Sequence, residues 1–181
     1  MMCNMNEIMS MGNSSEENNR EKYKFDEDGY ISLPLIIENL PSKLNVLGYE
    51  LSLKEEFHCS LVCTKDLQEK YGNDIEKKII DLFNNFVSKN KIALIKYRDE
   101  FRLVKRKERI SVIVMCDISN IGKFFKLMNQ ELEIESDVMP AHVTIYTLQP
   151  NMGIGVNTSL GFQATQVIEV PNEVKIGLNL K

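Results

Sequence analysis

The sequence predicts an α+β fold, with helices packed on the outside of antiparallel strands. Three observations lead there. Strand-like runs outnumber helical ones. The helical patterns fall between strands rather than in a separate block. Short charged turns join consecutive strands in the middle of the chain, which marks a meander.

The elements follow in order. Residues 1–22 read as a disordered N-terminal tail, because the run from Gly12 to Arg20 is polar and has no apolar period. Five of the nine methionines lie in this tail. Residues 23–181 read as a single domain, a normal size for one core. Residues 30–37 form a strand that Pro34 keeps at an edge or bends. Residues 44–51 are a turn and short extended stretch around Gly48, and residues 57–63 are a clear strand. Asp66, with Glu69 three residues on, has capping-box spacing. Ile75, Ile79, Leu82, Phe83 and Phe86 then mark one face of a helix running to about residue 89. Strands are expected at 92–97, 101–106 and 110–116. Ser119 caps a second helix whose buried face is Ile121, Phe124, Phe125 and Met128. A strand at 141–148 follows Pro140, then a turn at 152–155 and a last strand at 166–170.

Composition narrows the function. The chain has 181 residues, 43% hydrophobic and 27% charged, with a net charge of -4. That excludes a uniformly basic nucleic-acid coat. Residues 1–50 carry 4 Lys/Arg against 9 Asp/Glu, while residues 51–181 carry 18 against 17. A local basic patch therefore stays open. No run approaches the roughly 18 consecutive apolar residues of a membrane helix. Four cysteines, Cys3, Cys59, Cys63 and Cys116, are too scattered for a disulfide framework. They read as small buried apolar residues in a reducing compartment. With no basic-then-apolar signal at the start, the expected location is cytoplasmic. Two histidines are too few for a histidine-rich metal site, and neither metal nor cofactor is expected.

Those two histidines share one local pattern. His58 is followed by Ser60 and then Leu61; His142 is followed by Thr144 and then Ile145. Serine and threonine are 17 of 181 residues, so one at i+2 from both histidines is a rare coincidence. Side chains alternate faces along a strand, so His58 and Ser60 share a face, as do His142, Thr144 and Tyr146. Cys59, Leu61, Val143 and Ile145 point the other way, toward a core. Two such strands on one cleft offer two imidazoles and two hydroxyls to one anion. A neutral imidazole can take a proton from an attacking oxygen, and a protonated one can give a proton to a leaving oxygen. The hydroxyls can donate to non-bridging phosphate oxygens. This set suits phosphodiester chemistry without a metal.

The paired motifs, 84 residues apart in a chain of this size, resemble those of the two-histidine (2H) phosphoesterase superfamily. That group includes RNA cyclic phosphodiesterases and the bacterial 2′-5′ RNA ligase-like proteins. The resemblance spans about residues 23–170. It implies a bilobal fold of two pseudo-symmetric antiparallel sheets with outer helices around a central cleft. It also implies cleavage of 2′,3′-cyclic phosphates or related linkages. His58 and His142 would be the acid/base pair, and Ser60 and Thr144 the phosphate holders. The partner would be a nucleotide or RNA substrate, bound by a monomer away from membranes.

Other residues stand beside this set. Tyr146 is placed to stack on a base or bond a phosphate. Lys96, Arg98, Arg102, Lys105, Arg106, Lys107 and Arg109 put seven positive charges in fourteen residues. They form either a groove for phosphates, with Arg102 contacting substrate, or a solvated hairpin with charged edges. The sequence leaves Lys54 without a direction. Gly153 and Gly155 flank a turn just after the second motif. Two alternatives stay open: a phosphodiesterase for 2′-5′-linked or cyclic oligonucleotide signals, and a non-catalytic RNA-binding module using the basic run.

Overall fold

The computed structural model describes residues 22–180. All but the last residue of the expected tail lies outside them. The fold is α+β, built on a large antiparallel sheet. Its strands are β1 (Lys24–Phe25), β2 (Tyr30–Leu35), β3 (Lys43–Val46), β4 (Tyr49–Leu53), β5 (Phe57–Cys63), β6 (Leu94–Arg106), β7 (Arg109–Ile118), β8 (His142–Thr147) and β9 (Gln166–Ile168). The helices are α1 (Thr64–Tyr71), α2 (Ile75–Lys89), α3 (Ile121–Leu132), α4 (Ser159–Gln163) and α5 (Asn172–Gly177). The main strand order is β1-β2-β5-β8-β7-β6-β9, and the β3–β4 hairpin joins through β4 and β8. The strands form one continuous sheet, where the resemblance implied two.

Helix α2 forms where its periodicity places it, with Ile75, Ile79, Phe83, Phe86 and Val87 buried. Helix α3 buries Phe124, Phe125 and Met128. Phe83 meets Phe124 edge to face at 5.1 Å and Tyr23 at 5.2 Å between ring centroids, an arrangement aromatic quadrupoles favour. Both helices share one apolar cluster with Leu33, Cys59, Val114 and Val143 of the sheet. This face is the main core. The other face carries a smaller cluster: Val104, Ile113, Met115, Ile154 and Val156. Residues beyond β8 thus fold back over part of that second face. Among the described residues, no helix is long and apolar enough to cross a membrane.

Several local expectations change. Strands expected at 92–97 and 101–106 are one strand, β6, with an irregular register between Tyr97 and Phe101. The charges at 98–100 look like a turn in sequence, but the paired β7 carries the chain through them. Helix α1 begins at Thr64, ahead of Asp66. The Thr64 hydroxyl donates to the Gly29 carbonyl, so a tertiary contact sets that start. At α3 the capping position is Asn120, in the left-handed region. Ser119 instead bridges to the segment before β6, accepting from Ala93 N and donating to the Lys91 carbonyl. Cys59, Cys63 and Cys116 are free and buried, as expected.

Candidate active site

Strands β5 and β8 lie side by side at the middle of the sheet, antiparallel, with Cys59 opposite Val143. Each of these is the residue that follows a motif histidine. Directly opposed residues point to the same face. Cys59 and Val143 both enter the main core. Their neighbours His58, Ser60, His142 and Thr144 therefore all face the other side. Extending the antiparallel register from that pair brings His58 level with Thr144, and Ser60 level with His142.

The strands flanking this pair repeat the same geometry. In β5, Ser60 opposes Ser32 and Val62 opposes Ile31, so Leu61 is an extra residue. In β8, Thr144 opposes Ile113 and Tyr146 opposes Val112, so Ile145 is an extra residue. Each strand thus has a β-bulge directly after its motif hydroxyl. A bulge sets two adjacent side chains against one partner residue. Leu61 and Val62 are both in the main core, and so are Ile145 and Tyr146.

This corrects the placement of Tyr146. It does not share the His142 face. It is fully buried, its hydroxyl donates to the Pro41 carbonyl at 2.8 Å, and burial pushes its pKa up to about 12. Simple alternation fails at the inserted Ile145. Tyr146 is a core residue here and touches no part of the motif face.

The two imidazoles are held differently. His142 is 6% exposed, and its Nδ1 lies 2.6 Å from the Pro140 carbonyl. A carbonyl only accepts, so Nδ1 carries the hydrogen and Nε2 is the free nitrogen. Burial lowers the pKa of His142, and the Pro140 bond partly opposes that. His58 is half-buried. Burial lowers its pKa first, and the nearby Lys54 ammonium lowers it further. Ser60 and Thr144 are half-buried, and neither hydroxyl has a hydrogen-bond partner among the described residues. An unprotonated imidazole and two unengaged hydroxyls beside a second imidazole can move protons and hold an anion.

Lys54 is the residue that sequence reasoning left undirected. Its backbone N–H donates to the Ile145 carbonyl at 3.0 Å, continuing the β4–β8 pairing. Its ammonium ends beside Gly153: a methyl group placed on Gly153 would lie 3.8 Å from Lys54 Nζ and 3.5 Å from Thr144 Cγ2. The turn after β8 thus crosses directly over Thr144, and its glycine leaves that space open. The only sequence signal was Gly153 itself.

Arg102 does share the motif face, because it opposes Ile113, which opposes Thr144. Two inter-strand steps put it about 10 Å from the β8 backbone. Its guanidinium is engaged by Glu100 and the Thr165 hydroxyl and stacks 4.0 Å from the Phe162 ring centroid. Three more cations of the basic run are engaged. Lys96 and Arg98 pair with Asp117, and Lys105 lies over the Tyr49 ring. Arg106, Lys107 and Arg109, at the β6–β7 turn, make no ion pair among the described residues.

Two cavities flank the motifs. One of about 430 Å³ is lined by Met115, Pro140 and Phe162, among others. Met115 opposes His142 across β7–β8. The other, about 260 Å³, is lined by Pro34, Lys24 and Glu56, among others. Pro34 opposes His58 across β2–β5. Neither cavity is lined by the motif side chains themselves. They lie to either side of them. Among the described residues, no three His, Cys, Asp or Glu side chains are placed to share a metal ion. The chain matches no protein-family model, no curated protein and no solved structure.

Proposed function

We propose that the protein is a two-histidine phosphodiesterase that opens a 2′,3′-cyclic phosphate, or cleaves a related nucleotide or RNA phosphodiester, by acid/base catalysis. The observation that carries this reading is the Cys59–Val143 pair, which brings both motifs to one face in matched register. The matched bulges, one directly after each motif hydroxyl, support a bilobal arrangement with one motif to each half.

In hydrolysis of a cyclic phosphate, one neutral imidazole takes the proton of an attacking water. The new P–O bond forms as the bond from phosphorus to a ribose oxygen breaks. The other imidazole, protonated, gives its proton to that ribose oxygen. Ser60 and Thr144 donate to the non-bridging oxygens, where charge builds up. The His142 tautomer suits either role, because Nε2 is the nitrogen left to the substrate.

The test is product analysis with EDTA present. The substrates would be 2′,3′-cyclic mononucleotides, an RNA with a cyclic phosphate end, 2′-5′ oligoadenylate and cyclic di- and trinucleotides. His58→Ala and His142→Ala proteins run alongside. Cleavage that survives EDTA and is lost in both variants is the expected result. Cleavage that persists in either variant, or none across the whole panel, would overturn the reading.

A further inference from the structure

Two of the cations on or beside the motif face are neutralised. Lys24 pairs with Glu56 at 3.0 Å, and Arg102 pairs with Glu100 at 2.6 Å. Lys54 differs. Among the described residues it has no carboxylate within ion-pair distance and makes no side-chain hydrogen bond. Glu56 is the acidic group nearest in effect, and it is already engaged by Lys24. Lys54 is also half-buried. A cation withdrawn from water without a partner is unfavourable, and such a group is stabilised when an anion arrives.

The place where Lys54 ends adds the second observation. Its ammonium and the Thr144 side chain both lie within 4 Å of the point where a methyl group on Gly153 would stand. The pairing that fixes it there joins β4 to the motif strand β8 at Ser52–Thr147 and Leu53–Tyr146.

We infer that Lys54 is a third phosphate-binding group and a catalytic residue, contacting a non-bridging oxygen of the phosphoryl group held by Thr144. This rests on the phosphodiesterase reading. A phosphodiester carries one negative charge, and the five-coordinate species formed by attack of water carries up to two. One protonated imidazole supplies one positive charge, and Lys54 supplies the second. Its interaction is therefore stronger in the transition state than with the cyclic substrate, which is what raises a rate. The ring-opened product, a dianionic monoester, should also engage it.

The experiment compares wild type, Lys54→Gln and Lys54→Arg on a 2′,3′-cyclic mononucleotide, with calorimetric titration of the corresponding 2′- and 3′-monophosphates. In Lys54→Gln, kcat should fall about 100-fold, with KM changing far less. Product affinity should fall about 10-fold, with Arg restoring part of both. The melting temperature of Lys54→Gln should equal or exceed that of wild type, since an unpaired charge has been removed. If Lys54→Gln turns over within about 3-fold of wild type while the histidine variants are inactive, the inference fails and the two-histidine reading stands. If wild type turns nothing over yet binds either monophosphate, weaker binding by Lys54→Gln upholds Lys54 as a phosphate ligand and refutes its catalytic role. Equal binding overturns the inference altogether. No binding by wild type removes both readings.

Discussion

The motif strands β5 and β8 are near copies in backbone and differ in how their surroundings treat the histidine. Each carries histidine, a core residue, a hydroxyl and then a bulge. In β8 the imidazole is buried and one nitrogen is fixed by a backbone carbonyl. In β5 the imidazole is half-open, and its pKa is lowered first by burial and then by the Lys54 charge. The difference teaches that matched strand geometry sets where the two groups stand, while the neighbouring segments set what each imidazole can do. His142 is oriented by Pro140; His58 is tuned by Lys54.

The most severe way to break this comparison is to remove each imidazole in turn. His58→Ala and His142→Ala should each lower kcat/KM by about 10²- to 10⁴-fold. If one variant keeps most of its activity, the two strands are not equivalent in the chemistry, however alike their backbones. Ser60→Ala and Thr144→Ala come next. Each removes one donor to the developing charge and should lower kcat about 10²-fold. A loss confined to Thr144→Ala would place the phosphate on the β8 side alone.

Acid sharpens the contrast between the imidazoles. Both histidines have pKa values below the ordinary 6.5, so the folded chain binds fewer protons than the unfolded chain. Their contribution to stability is therefore present above pH 6.5 and is lost as pH falls from there through the lowered native values. Replacing either histidine with glutamine should flatten that part of the stability curve, His142 more than His58, because burial is deeper at His142. Chemical denaturation between pH 5 and pH 7.5 reads this out. An unchanged slope in His142→Gln would mean that its imidazole is not held neutral.

The smallest expected effects separate core from site. Tyr146→Phe removes one buried hydrogen bond to Pro41 and should cost about 1 kcal/mol of stability, leaving kcat within 2- to 3-fold. A large loss of activity would return Tyr146 to the cleft. Arg102→Ala should likewise act on stability before turnover, since its guanidinium is committed to Glu100, Thr165 and Phe162.

The sequence alone determined a good deal here. Strand alternation put each histidine on a face with its hydroxyl, and helical spacing placed the buried side of α2. Both follow from local backbone geometry, with periods of 2 and 3.6. Tertiary structure decided the rest. Cys59 and Val143 are far apart in the chain, and only their pairing puts four polar side chains on one surface. Tyr146 went to the core because the bulge depends on how β7 opposes β8, which a single strand does not encode. Lys54 gained a direction only when β4 paired with β8, and Arg102 lost its freedom only when Thr165 and Phe162 folded over it. Periodicity tells which residues share a face; long-range pairing and the segments that cover a face decide which of them stay available for chemistry.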